Sequence, residues 1–193
     1  MSTLPLPFLV QCLGDALPGE ARAAASRLRF RHVRLLFLRL SRARLSDKAS
    51  IYIPDPAFSV SRIYEPKNRS IEMAPERETS VVVEVPCFSG DAIATEPPDA
   101  FHGRIVRELS TLRLLDSGDV LESRHHFVPN AYPVYSADYG HQVAIVRDAL
   151  ARIENLDAIG RAGRFVYSHL HDQLRFGKDL VAGFLESRRA YSA

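Results

Sequence analysis

The segment "RFRHVRLLFLRL", Arg29 to Leu40, constrains the fold more than any other stretch of the chain. Val33, Leu35 and Phe37 alternate with Arg34, Leu36 and Leu38, so apolar side chains fall on both parities. That pattern reads as a long, well-covered strand. "LPGEARAAASRL" before it has helix character: Pro18 suits a first turn, Glu20 complements the N-terminal dipole, and the alanines propagate it. "ASIYIPDP" is a short strand stopped by prolines. "AFSVSRIYEP" sets Phe58, Val60, Arg62 and Tyr64 against Ser59, Ser61 and Ile63, and "SVVVEVPCF" is a β-branched run. "EPKNRS" and "MAPERET" between them are turn-rich loops. Strands joined by turns pair antiparallel, because a parallel pair needs a long crossover.

Helices enter later. "EPPDAFHGRIVRELSTLRLLDSGD" places Ile105, Leu109, Leu112 and Leu115 at helical spacing, with Gly118 as its stop. "DVLESRHHFVPNAYPVY" is a strand running into Pro129 and Pro133. "DYGHQVAIVRDALARIENL" is an amphipathic helix on Val143, Val146, Leu150 and Ile153. "DAIGRAGRFVY" reads as a short strand and loop. "GKDLVAGFLESRRA" reads as a closing helix with Leu180, Val181 and Phe184 inward. The expected class is α+β, a mixed, largely antiparallel sheet with packed helices.

Composition narrows the function. Twenty-five basic against 23 acidic residues leave +2, without the basic excess of a nucleic-acid-binding domain. The arginines from Arg27 to Arg44 are either a phosphate-binding face or outward, solvated residues; their interleaving with apolar residues favours the second. Cys12 and Cys87 fit no metal or redox spacing and read as buried free thiols in a reducing compartment. No apolar run reaches the length of a membrane span, and "MSTLPLPFLVQCLG" lacks the early positive charge of a secretory signal. A soluble, cytoplasmic protein is expected. An apolar opening is nonetheless unusual for a free terminus, and it reads as the middle of something larger.

Seven histidines invite a metal or hydrolase reading. His125 and His126 are neighbours on a strand and point to opposite faces. His169 and His171 can share a face, but no third ligand stands at useful spacing, so no metal is expected. Gly-x-Ser-x-Gly, Walker and His-Glu-x-x-His motifs are absent, and a Ser–His–Asp set assembled from distant residues stays open. "GRAGRFVYSHLHDQLRFG", residues 160 to 177, is more specific. Gly160 and Gly163 permit close backbone approach, and Arg161 carries a forked cation that suits a phosphate or carboxylate. Gly177 lies near the expected start of the last helix, whose N–H groups suit an electron-rich edge such as N1 and O2 of a flavin. The alternative is an ordinary turn with a surface arginine, and the residues alone leave both open.

Several stretches, in order, resemble one family. They are "STLPLPFLV", "LRFRHVRLLFLRL", "SIYIPD", "FSVSRIYEPKNRS", "MAPERETSVVVEVPC", "AYPVY" and "GRAGRFVYSHLHDQLRFG". Together they resemble the C-terminal half of flavin-dependent amine oxidases of the protoporphyrinogen-oxidase-like type, relatives of UDP-galactopyranose mutase. The resemblance covers nearly the whole chain. It implies two intertwined domains, a Rossmann-like FAD domain and a substrate domain on a mixed sheet. Residues 1–156 would be substrate-domain-like, their start touching the cofactor domain, and 157–193 the FAD-contacting segment and helix. Gly160 and Arg161 would lie near the FAD phosphate and ribityl region. Asp172, Gln173 and Leu174 would begin the last helix against the pyrimidine side, and Thr3 and Pro5 would run along the cofactor. Tyr132 and Tyr135, near the domain junction, and Arg62 would shape the substrate pocket.

No catalytic side chain is assigned, because in many of these enzymes the flavin does the chemistry. "SHLH" departs from the acidic or asparagine residues of many relatives, and "LHDQ" is closer to the mutase-like branch. The GxGxxG fingerprint is missing: before residue 90 the glycines are Gly14 and Gly19 alone. Without that unit the ADP half of FAD has no phosphate cradle. The resemblance therefore implies part of an FAD-dependent oxidoreductase acting on a small molecule, truncated and not competent alone. Its partner would be a separately encoded Rossmann half or a second copy. The alternatives are a non-catalytic interaction module, a split-enzyme subunit, or half of a mutase-like flavoenzyme.

Overall fold

Arg29 to Leu40 folds into strand β1 (Phe30–Leu40) in a computed structural model that describes residues 1–191, with side chains through Leu185. Ser192 and Ala193, which end the expected 157–193 segment, lie outside the described residues. The chain groups by contact into two compact units, residues 31–131 and residues 1–30 with 132–193. Among the described residues, no helix is long and apolar enough to cross a membrane.

The strands β2 (Ser50–Tyr52), β3 (Arg62–Tyr64), β4 (Thr79–Cys87) and β5 (Val120–Pro133) join β1 in one sheet, in the order β2-β3-β4-β1-β5. The pairs β1–β4, β3–β4 and β2–β3 are antiparallel, with Leu36 opposite Val83 and Ile63 opposite both Val83 and Ile51. The class is α+β with a largely antiparallel sheet, as the turn-joined strands imply. After the short helix α3 (Ala92–Thr95), helix α4 (Pro98–Thr111) lays Phe101, Ile105 and Leu109 on one stripe. They share a core with Leu36, Leu38, Leu40, Val81, Val83 and Val85.

Three local expectations need correction here, and one turn-rich loop gains detail. The arginines of β1 are not all outward: Arg34 is 3% exposed. It donates 2.8 Å bonds to the carbonyls of Ile93 and Glu96 and stacks 3.9 Å from the Phe101 ring centroid. Burial pushes its pKa down, but an arginine still keeps its charge. α4 ends at Thr111, not at Gly118, because Arg113 adopts a left-handed φ of 56°. Arg113 N–H bonds the Ser110 carbonyl and Leu114 N–H that of Leu109, a Schellman ending with arginine where glycine is usual. Leu115 folds back into the core from beyond the helix. The loop "EPKNRS" is tied down as a 3-10 turn, Pro66–Asn68. Beside it, the buried Glu65 carboxylate accepts from Leu45 N–H, Ser46 N–H, Asn68 and Thr79. Lys67 donates to the carbonyls of Pro75, Glu76 and Glu78. Lastly, Cys12 is exposed, whereas Cys87 is buried with its thiol pKa raised by that burial.

Residues 1–30 and 132–191 form a helical unit. Helices α1 (Leu6–Leu13), α2 (Gly19–Arg27) and α5 (Tyr139–Leu150) enclose Leu6, Leu9, Val10, Ala21, Ala24, Ala25, Val146 and Leu150. Phe30 and Phe165 complete that core edge to face, 4.9 Å apart. The small side chains of α2 let it lie close to α5. Gly160 to Gly163, expected in a strand and loop, form a single helical turn, α6 (Gly160–Gly163). The closing helix α7 (Leu170–Tyr191) starts earlier than expected, so Gly177 lies inside it. Val181 and Phe184, expected inward, are 56% and 60% exposed.

Candidate functional site

The site is built where the start of the chain meets its last third. Ser2 N–H donates to the Asp157 carbonyl and Ile159 N–H to the Ser2 carbonyl, both at 2.8 Å, making a parallel bridge between Ser2 and Ala158. The chain then turns directly into α6. Gly160 makes that turn at φ 76°, a value that a side chain disfavours. Its Cα faces the start of the chain, and a Cβ there would meet Thr3 at 3.7 Å and Gln173 Oε1 at 4.0 Å. At Gly163 the constraint is space. A Cβ would lie 3.3 Å from the carbonyl oxygens of Ser2 and Leu4, so the N-terminal backbone passes directly over this glycine.

Thr3, Gly160 and Gln173 are therefore brought together, although most of the chain separates Thr3 from the others. Pro5 caps α1, and its carbonyl accepts Leu9 N–H at 3.0 Å. Arg161 donates to the Ser168 carbonyl at 3.2 Å. Its guanidinium carbon lies 4.3 Å from the Tyr167 ring centroid and 5.1 Å from that of Tyr132, while the two tyrosines stack on each other at 5.8 Å. Tyr135 accepts the backbone N–H of Tyr167 on its hydroxyl and stacks on Tyr139 at 4.2 Å. Tyr132, Tyr135 and Arg161 thus belong to one aromatic cluster.

α7 presents its N-terminus to the same region. Asp172 accepts His169 N–H at 3.0 Å and pairs with Arg175 at 3.2 Å. The His169 hydrogen bond, followed by the nearby positive groups, holds its carboxyl below the usual aspartate range. The first turn of the helix supplies further backbone N–H groups. Gln173 donates to the Ser168 hydroxyl at 2.5 Å, while Leu174 and Leu170 are 69% and 76% exposed. His169 and His171 stack at 5.7 Å, but among the described residues no three His, Cys, Asp or Glu side chains are placed to hold a metal ion. An open groove of about 580 Å³ adjoins, lined in part by Leu150, Ile159, Gly163, Arg164 and Phe176.

Two features of this candidate site escaped the sequence reading. Ser168 is buried and collects Arg161 through its carbonyl and Gln173 through its hydroxyl. Tyr167 packs against Arg161 and Tyr132. The "SHLH" stretch held the signal, a serine just before a helix start. Arg62 belongs to the other unit. Directly opposite Glu84 in the sheet, it grips that carboxylate with two nitrogens, Nε at 3.0 Å and Nη2, between the rings of Tyr52 and Tyr64.

No protein-family profile matches the chain, and no curated protein matches it significantly. Solved structures do match. A reduced UDP-galactopyranose mutase aligns with TM-score 0.72 and 17% identity over 85% of this chain and 36% of its own. A protein of Exiguobacterium sp. 255-15, provisionally a protoporphyrinogen oxidase, aligns with TM-score 0.67 and 15% identity over 83% of this chain and 35% of its own. A putrescine oxidase bound to putrescine aligns with TM-score 0.62 and 13% identity over 95% of this chain and 42% of its own. The chain has the fold of part of these proteins and spans well under half the length of each.

Proposed function

We propose that the chain is the closing portion of an FAD-dependent oxidoreductase of the amine oxidase superfamily. The observation that carries this reading is that Thr3 and Gln173 both lie within about 4 Å of the place a Cβ on Gly160 would take. It gathers, from both ends of the chain, residues that the family resemblance had assigned to one cofactor. The local chemistry fits a flavin. Gly160 and Gly163 let the start of the chain pack against α6, α7 offers N–H groups to an electron-rich edge, and Leu170 and Leu174 offer apolar surface. In this reading 157–193 contacts FAD through Gly160, Arg161, Asp172, Gln173 and Leu174, with Thr3 and Pro5 alongside. Residues 1–156 are substrate-domain-like, and Tyr132, Tyr135 and Arg62 are assigned to a small-molecule substrate. The flavin would supply the redox chemistry, while these residues orient it and exclude water.

A phosphate cradle must then come from polypeptide carrying the rest of the fold, and the chain alone is not competent. The test is flavin retention after co-purification with a polypeptide that supplies a GxGxxG unit. Flavin absorbance should stay with the complex and be lost with Gly160→Val or Gln173→Ala. Retention indifferent to both changes would sink the assignment. The alignment with a UDP-galactopyranose mutase favours a second reading, non-redox chemistry on a sugar nucleotide. Mutase turnover without oxidase turnover by the completed protein would select it.

A further inference from the structure

β5 is the outermost strand of its sheet, with β1 as its one neighbour among the described residues. Every residue from Leu121 to Phe127 is exposed, and among the described residues no strand pairs with the outer edge of this segment. The opposite edge, β2, is only Ser50–Tyr52. An open edge of this length presents unpaired N–H and C=O groups to any strand that can approach. Such edges are usually protected by like charges or proline. Here Pro129 limits the far end, but the charges at the centre are of opposite sign. Arg124 donates to Glu122 at 3.0 Å within the strand, and Arg39 of β1 approaches Glu122 at 3.9 Å.

We propose that the β5 edge pairs with the same edge of a second copy of this chain, antiparallel, about a two-fold axis through Ser123. A two-fold axis normal to the sheet keeps each residue on its own face, so only residues of equal parity can stand opposite each other. With Ser123 opposite itself, Glu122 faces Arg124 of the second copy, and the reverse pair forms by symmetry. The four charges then alternate around a square, each acid between two arginines. Leu121 meets His125, and Val120 meets His126. Moving the axis to Glu122 sets the two acids against each other, and moving it to Arg124 sets the two arginines against each other. Charge thus selects one register, where a bare edge would allow several.

Analytical ultracentrifugation of the 193-residue chain over a dilution series tests this. The expected result is a reversible dimer weakened by salt. Glu122→Arg and Arg124→Glu should each raise the dimer Kd by about ten-fold or more, because each puts like charges opposite one another twice. The double swap should return the Kd to within about three-fold of the original, since it restores the alternating square in reverse. That recovery also shows that the single variants failed by charge rather than by misfolding. Ser123→Pro should abolish the dimer through backbone alone. A chain that stays monomeric at every concentration overturns the proposal. So does a dimer indifferent to all of these changes, which would assign the contact to the exposed apolar face of α7.

Discussion

Residues 31–131 bury Arg34, Glu65, Lys67, Thr79 and Glu84, whereas among the described side chains the unit of residues 1–30 and 132–191 buries Gln142 and Ser168 and encloses them with Leu, Val, Ala and Phe. The first unit fixes its loops through closed polar networks. Four donors converge on the Glu65 carboxylate and three carbonyls on the Lys67 ammonium. The second is held by apolar area, and it leaves Leu170, Leu174, Val181 and Leu185 of α7 half or more exposed. A polar network is all-or-none, since each partner lost strands the others in a dry site. An apolar core is graded, and what it leaves uncovered remains available for another surface. The first unit satisfies its buried charges within itself; the second leaves apolar side chains of α7 at its surface.

The largest effect should come from breaking a network. Glu65→Ala leaves the Thr79 hydroxyl and two loop N–H groups without their acceptor, while Asn68 keeps the carbonyls of Ser46 and Lys48, and should cost about 3–5 kcal/mol in urea unfolding. A loss under about 1 kcal/mol would mean that water replaces the carboxylate and that the contrast between the cores is only apparent. The apolar unit should answer to volume. Ala24→Leu on α2, where α2 lies against α5, should cost about 1–3 kcal/mol by overpacking. A neutral result would show that this core is loose. The bare face of α7 should barely respond. Leu174→Ser with Val181→Ser should change stability by no more than about 0.5 kcal/mol each, while lowering the binding of a dye that reports apolar surface. A larger loss would mean that the chain itself covers the face.

Local period made much of this legible. β1, β4 and α5 stand where their patterns put them, because apolar spacing and packed face agree there. Other features depended on partners remote in the chain. Arg34 reads as a solvated residue until the carbonyls of Ile93 and Glu96 are brought to it. Arg113 gives no sign that it will take the left-handed position glycine normally holds, so Gly118 drew the helix end too far. The turn at Gly160 hid α6, because two glycines in a short run lower helix propensity and the bridge to Ser2 that sets up the turn is invisible locally. At the candidate site, no pattern joins Thr3 to Gly160. Only the family resemblance linked them before the fold did, and Ser168 escaped because a buried serine carries no periodic mark.

The smallest effect concerns the start of α7, where the helical unit meets solvent. Asp172 is partly exposed, its side chain 23% accessible, so solvent still screens its charge and its contribution is modest. The sign is nonetheless fixed. The His169 N–H bond holds the folded carboxyl below its ordinary value of 3.8. The stabilisation is then fully present above that value and is lost as pH falls through the lower folded pKa. In that acid window the His169 amide should lose hydrogen-exchange protection, and the first turn of α7 should fray before the polar networks of residues 31–131 open. Asp172→Asn keeps an acceptor oxygen but removes the titration, so its His169 amide should show no pH dependence there. If wild-type protection persists below the window, or if the two units open together, then α7 is already anchored and the second unit is as self-contained as the first.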